Sequence, residues 1–270
     1  MPEIVSILVC ILVFPLGLTI GSFLNVVIHR GPAIWRLAEA PPHDEPYSLA
    51  YPRSHCPGCQ QQIKVIHLIP ILGFILLRGR CAACGQNIPW RYPVVEVLGG
   101  ASALVPFFIY GPSLTAVAIF SFLCLLVPLA FIDQQTSFLP DALTLPLIVT
   151  GVAANALPLF VPLQDALIGA AAGFISFWFI GEMFYRLRGY DGLGLGDAKM
   201  LAGLGAWLGW IALPFIVLLA SLTGLIFIAL SKLRGQEVAL ETGLPFGPSL
   251  AIAAATLMIL QATGLDFWNI

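Results

Sequence analysis

Four of the six cysteines fall into a pattern with chemical consequences. Cys56-Pro57-Gly58-Cys59 and Cys81-Ala82-Ala83-Cys84 are two CxxC pairs with 21 residues between them. Each continues alike, Cys59-Gln60-Gln61-Gln62-Ile63 against Cys84-Gly85-Gln86-Asn87-Ile88, so one small knuckle is written twice, 25 residues apart. Four thiolates from two such turns can close a tetrahedral zinc site. No position is left for a reacting ligand, which makes the metal structural. In a loop with little core of its own the ion would supply folding energy. Disulfides or redox chemistry and free thiols are the competing readings, and a reducing compartment argues against disulfides. All four histidines (His29, His43, His55, His67) lie in the same polar segment, so a membrane proton relay built on histidine is disfavoured. His55 is either a substitute ligand or a solvated loop side chain. Cys10 and Cys124 lie in apolar runs and read as small apolar residues.

The second set is acidic. Most of the 14 Asp and Glu residues have routine explanations. Glu39, Asp44, Glu45, Asp191, Glu237 and Glu241 sit in loops, and Glu3 and Asp266 near the termini. Asp141 and Asp165 can cap the helices they open. Glu182 precedes Arg186 by four, a helical ion pair. Glu96 begins an apolar run with its role open. Asp133 and Asp197 remain: one ends an apolar run in Phe131-Ile132-Asp133, and the other begins one, 64 residues later, in Gly194-Leu195-Gly196-Asp197-Ala198-Lys199. Two carboxylates brought together in a partly desolvated site share a proton and titrate as a unit. One then acts as base on a water while the other, protonated, polarises a peptide carbonyl. Gly192, Gly194 and Gly196 alternate up to Asp197, a backbone edge that a substrate peptide can approach closely. The alternative is a flexible turn with Asp197 as a helix cap. Lys199, about 200° around a helix from Asp197, is expected to snorkel to the headgroups.

These groups need elements to carry them. The 270-residue chain is 59% hydrophobic and 10% charged, with a mean hydropathy of +0.95. A soluble domain carries about 25% charged residues. A single soluble core, a disordered chain and a nucleic-acid-binding protein are therefore excluded. The net charge of −2 indicates no polyanionic partner. Apolar runs cover 4–28, 94–111, 114–132, 142–161, 165–185, 197–211, 213–231 and 247–264. They predict an all-α polytopic membrane protein of about eight transmembrane helices. The stretch from Met200 to Leu230 is divided at Trp210-Ile211-Ala212-Leu213-Pro214, because proline interrupts a helix. The first run lacks a basic n-region and is too long for a signal peptide, so it reads as a true span. With eight spans, all 12 Lys and Arg residues fall on one side or at its membrane edge. That side is cytoplasmic by the positive-inside rule, and both termini lie outside. Segment 29–93, which includes a proline-rich linker at 40–46, is then a cytoplasmic, zinc-ribbon-like insertion of four cysteines between the first two spans. Residues 1–28 form the first helix and 94–270 a seven-helix membrane domain, with Asp133 and Asp197 at the same cytoplasmic edge.

The ordered motifs resemble the bacterial type IV prepilin peptidases, membrane aspartic proteases with a GxGD motif. Gly21-Ser22-Phe23-Leu24-Asn25-Val26-Val27-Ile28-His29-Arg30 is similar to the family's opening signature. Pro52 to Cys59, Arg78 to Cys84 and Arg91-Tyr92-Pro93-Val94-Val95-Glu96 are similar to its cytoplasmic domain. Gly194–Asp197 and Leu244-Pro245-Phe246-Gly247-Pro248 complete the set. The resemblance implies an aspartic endopeptidase of the bacterial inner membrane with Asp133 and Asp197 as the catalytic pair. Its substrates would be type IV prepilins and type II secretion pseudopilins, cut after glycine at the cytoplasmic face. It also implies N-methylation of the new terminus with S-adenosylmethionine, with the cysteine segment and Glu96 linked to that activity. The family often shows Asp-Leu-Asp where this chain has Asp133-Gln134-Gln135. That leaves Asp141 as the one rival or supporting acid.

Two other classes fit the sequence less well. A transporter using the two aspartates for ion coupling predicts mid-membrane acids and an internal repeat, neither of which is present in the sequence. A non-catalytic cysteine-ribbon scaffold would tolerate loss of Asp197. The assignment of the first acid is tested directly: Asp133→Asn is expected to abolish prepilin cleavage and Asp141→Asn to retain it, assayed on purified enzyme. The opposite result reassigns the role to Asp141.

Overall fold

The computed structural model describes residues 3–38, 47–189, 193–233 and 245–264. The proline-rich stretch, Gly192, Leu244 and the acids Glu39, Asp44, Glu45, Asp191, Glu237, Glu241 and Asp266 lie outside these residues, as does the side chain of Cys10. Among the described residues the fold is helical. The long helices are α1 (Glu3–Ile34), α3 (Arg91–Tyr110), α4 (Leu114–Thr136), α5 (Asp141–Ala156), α6 (Leu163–Arg188), α7 (Leu195–Leu208), α8 (Leu213–Leu233) and α9 (Gly247–Ala262). A short helix, α2 (Leu72–Leu76), and a 3-10 turn (Val65–Leu68) lie between α1 and α3. Each expected apolar run is thus a helix. Five of them, α1, α3, α4, α6 and α8, are long and apolar enough to cross a membrane. Helices α5, α7 and α9 have 16, 14 and 16 residues. At 1.5 Å per residue they reach only about 21–24 Å against a hydrocarbon core of about 30 Å. The expected eight spans therefore stand as five helices of crossing length and three shorter ones.

The break between the sixth and seventh runs is not made by proline, as expected, but by Gly209. Its φ of +78° ends α7 in a conformation disfavoured for a residue with a Cβ. Pro214 instead sits in the first turn of α8, where its missing N–H costs no hydrogen bond. Helix α1 runs on past its apolar stretch to Ile34, which puts His29 and Arg30 on the helix.

The chain divides into two compact units, Met1–Phe120 and Ser121–Ile270. In the first, α1 packs along α3. Lipid tails are as apolar as leucine, so helices in a bilayer associate through close packing at small residues. Gly17 and Gly21 supply it: a Cβ on Gly17 would lie 2.6 Å from the Gly99 carbonyl, and one on Gly21 2.7 Å from that of Val95. Asn25, 2% exposed, donates from Nδ2 to the Tyr92 carbonyl at 3.0 Å across the same seam.

In the second unit α7 is the centre, packed by α5 and α6 and touched by α8 and α9. Every residue from Met200 to Leu208 is buried. Gly169 of α6 and Gly205 of α7 lie backbone to backbone, and a Cβ on Gly173 would meet the Leu201 carbonyl at 2.7 Å. Trp207 donates from Nε1 to the Leu147 carbonyl of α5 at 2.9 Å, with its ring between Phe122 and Phe160. Asn155 locks the far end: Nδ2 donates to the Ala206 and Trp207 carbonyls, and Oδ1 accepts from the Phe160 and Val161 amides. These groups set the axial position of α7 and hence of its first turn. Gly205→Val is expected to cost at least about 1–3 kcal/mol through overpacking at a backbone contact. A lowered thermal midpoint in detergent, compared with Gly224→Val on open α8, reads this out.

Candidate functional site

Asp133 occupies the last turn of α4 and is 4% exposed. Its Oδ2 accepts the Gly247 N–H at 2.8 Å. Gly247 is the first residue of α9, so a helix N-terminus presents a donor to this carboxylate. A Cβ at that position would lie 2.7 Å from the same oxygen, so only glycine lets the backbone come this close. Asp197 is the third residue of α7. Its Oδ2 accepts the Gly194 N–H at 3.2 Å, closing the turn that starts the helix. Its Oδ1 is buried and has no hydrogen-bond partner. The two acids are brought together, close enough for the charge on Asp133 to act on Asp197. The alternative expects Asp197 to be the cap; the cap is Gly194, and Asp197, three residues on, bonds back to it through one oxygen only. Oδ2 serves the fold; Oδ1 is uncommitted.

Other expectations require correction. Lys199, expected only at the headgroups, has a protein partner: its Nζ donates to Asp141 Oδ1 at 2.6 Å, tying α7 to the start of α5. Asp141 is exposed and spent on that ion pair, whereas Asp133 is buried beside Asp197. Gly196 does not present open backbone either. A Cβ there would meet Leu139 Cβ at 2.9 Å, so the missing side chain makes room for the segment leading into α5. Gly194 is exposed and is the helix cap. Gly247 enters the sequence reading only as part of a motif. Its signal is a glycine between Phe246 and Pro248 at the start of an apolar run, which marks a helix N-terminus needing close approach. The expected Glu182–Arg186 pair is present at 2.7 Å.

The four cysteines form a second centre in the first unit. Their sulfurs all lie within 4.8 Å of one another. Cys56 and Cys84 sulfurs are 3.8 Å apart, and those of Cys59 and Cys81 are 4.0 Å apart. A disulfide needs about 2.05 Å, so none is formed. Tetrahedral metal–sulfur bonds of about 2.3 Å place sulfurs about 3.8 Å apart, which these positions fit. The knuckles carry out the repeat seen in the sequence. The Cys56 amide donates to the Gln61 carbonyl and the Cys81 amide to the Gln86 carbonyl. Short antiparallel bridges pair His55 with Gln62 and Arg80 with Asn87. The Cys84 and Ala83 amides push the Cys81 thiol down to about 6. Although the Gln86 amide lowers Cys84, burial and the Cys59, Cys81 and Cys56 thiols raise it to about 11. Four crowded thiols cannot all ionise without a cation among them. His55 is not in the cluster; its Nδ1 lies 3.0 Å from the Arg53 carbonyl.

Glu96, 8% exposed, sits in the second turn of α3. Its Oε2 accepts the Ile71 amide of the insertion at 2.7 Å, and Ser22 of α1 hydrogen-bonds to it as well. Arg30, 6% exposed, donates to the carbonyls of Ser48 and Pro52 at 2.9 and 2.6 Å, with Tyr47 beneath its guanidinium. Two buried charges of opposite sign thus each hold a different part of the insertion's backbone. If the cysteines hold a metal, Cys56→Ser is expected to lose most of it. Elemental analysis of purified protein, with the Cys124→Ser variant unchanged, checks this.

Residues 16–110 match the Bacterial Peptidase A24 N-terminal domain, and residues 118–229 match the Type IV leader peptidase family. The chain is 44% identical to the prepilin leader peptidase/N-methyltransferase of Dickeya chrysanthemi, over 92% of each chain. It is also 44% identical to the protein of that name from Aeromonas salmonicida, over 95% of this chain and 92% of the relative. For the Pseudomonas putida protein the identity is 39%, over 88% and 86%. No solved structure matches the chain. The two domain matches divide between them the cysteine cluster and the paired aspartates, and with relatives this similar over nearly their whole length the chain belongs to the type IV prepilin leader peptidase family.

Proposed function

We propose that this chain is a membrane aspartic endopeptidase that removes the leader of type IV prepilins and type II secretion pseudopilins and then methylates the new N-terminus. The observation that carries the peptidase reading is the pairing of buried Asp133 with half-buried Asp197, whose Oδ1 is buried and uncommitted. In this reading one carboxylate takes a proton from water as the oxygen attacks the scissile carbonyl, and the protonated partner gives its proton to the carbonyl oxygen. Collapse of the resulting diol breaks the C–N bond, with a proton passing to the leaving amine. The products are a leader carboxylate and a free pilin amine. Gly247 holds the Asp133 carboxylate in place, and Gly194 does so for Asp197.

The finer assignments follow from the charge pattern and the resemblance. With all eight long helices crossing, the three shorter ones included, the positive-inside rule puts the cysteine insertion (29–93), the membrane domain's aspartates and the scissile bond on the cytoplasmic side of the inner membrane, with both termini outside. Substrate and site then meet at one depth, because a pilin's apolar N-terminal helix lies in the bilayer with its basic leader at the surface. Zinc is the ion that best suits four thiolates in a closed tetrahedron, where it would hold the insertion together. Methyl transfer uses S-adenosylmethionine as co-substrate. The new amine forms an N–C bond as the sulfonium C–S bond breaks, and a proton is released. Glu96, which the resemblance links to this step, holds the Ile71 amide of the insertion.

Incubating the detergent-solubilised chain with a prepilin and S-adenosylmethionine checks both activities. Intact mass is expected to show leader loss plus a gain of about 14 Da, the mass of a methyl replacing a hydrogen. Asp197→Asn is expected to leave the prepilin uncut. Wild-type protein that leaves a competent prepilin intact overturns the reading.

A further inference from the structure

The insertion is not uniformly polar. From Val65 to Leu77 it reads Val-Ile-His-Leu-Ile-Pro-Ile-Leu-Gly-Phe-Ile-Leu-Leu, with His67 its one ionisable side chain. The 3-10 turn at its start buries no residue and α2 buries only Gly73. Val65, Ile66, Leu72, Ile75 and Leu76 are each more than half exposed. An apolar run of this length is a core helix, a signal segment, or a re-entrant or interfacial segment. Exposure excludes the first and its place in mid-chain the second.

Its position points the same way. Ile71 is bonded to Glu96 in the second turn of α3, and the Phe74 ring packs tilted against Trp90 just before that helix, 5.0 Å between centroids. The segment is thus pinned where a membrane-crossing helix begins. Trp90 is itself 74% exposed, the kind of side chain that favours the bilayer interface. Cations bracket the run: Lys64 before it, Arg78 and Arg80 after it. Between residues 47 and 95 there are five Lys or Arg and no Asp or Glu, which complements an anionic leaflet.

We propose that residues 65–77 form a monotopic anchor in the bilayer interface. Leu72, Ile75 and Leu76 enter the acyl chains, and Lys64, Arg78 and Arg80 meet the phosphates of anionic lipids. The anchor holds the cysteine cluster against the membrane surface. This inference is independent of whether the chain cleaves or methylates.

Spin labels placed through a ketone-bearing amino acid at Leu72, at Leu76 and, as control, at Gln61 test it in full-length protein. The chain is reconstituted into phosphatidylcholine–phosphatidylglycerol nanodiscs without substrate. Collision with oxygen is expected to exceed collision with a water-soluble nickel chelate by about tenfold at 72 and 76, as for an acyl-chain environment, and to fall below it at 61. Replacing Lys64, Arg78 and Arg80 together by Gln is expected to reduce the oxygen preference. Water-like accessibility at both 72 and 76 overturns the proposal. Protection that arises only when a prepilin is added assigns the surface to the substrate instead. Dipolar broadening between labels assigns it to a second copy of the chain.

Discussion

Everything in the second unit follows from how closely two backbones can approach at Gly169 and Gly205. Within a bilayer the hydrophobic effect gives helices no reason to prefer one another over lipid, so packing contacts and internal hydrogen bonds must do so. Side-chain-free crossings let α6 and α7 touch along their backbones. A second face of α7 is then closed by α5, whose Leu147 carbonyl accepts from Trp207 of α7 and whose Asn155 donates to the Ala206 carbonyl. A helix of 14 residues with a buried interior has little freedom to slide. Its first turn is therefore delivered to one place, and Asp197 with it.

The second theme is how charge and polarity are accommodated in so apolar a chain. Burying a charge without partners costs several kcal/mol. Arg30 is answered by carbonyls, and Glu96 by an amide and Ser22. Asp133 is answered by the amide at the start of α9, and Asn155 by four backbone groups. Backbone partners do more than satisfy a polar atom: each one fixes the path of a segment. In this molecule the polar residues of the helices act as fasteners for connecting segments.

The helices are legible in the sequence because the apolar runs are long and charge marks their ends. The cysteine cluster is legible because thiol spacing is itself geometry. Asp133 and Asp197 can be singled out by elimination, but their juxtaposition is a product of α7 packing that no local pattern encodes. Lys199 misleads because helical angle says which way a side chain leaves its helix, not what waits there; Asp141 comes from a different helix. Gly196 reads as open space for the same reason, while Leu139 fills it. The break at Gly209 is easily assigned to Pro214 because proline is the louder signal, although a proline in a helix's first turn disrupts nothing. The apolar stretch at 65–77 is hidden within a segment whose cysteines, histidines and arginines dominate its reading.

The inequivalence of the two Asp197 oxygens changes what a substitution at that position reports. Oδ2 closes the turn at Gly194, and Oδ1 is buried with no hydrogen-bond partner. Alanine removes both functions at once, so its effect combines the loss of a chemical group with the unwinding of a helix start. Asparagine can keep the acceptor that closes the turn while removing the ionisable group. The two substitutions are therefore not interchangeable probes: only asparagine separates the ionisable group from the turn it closes.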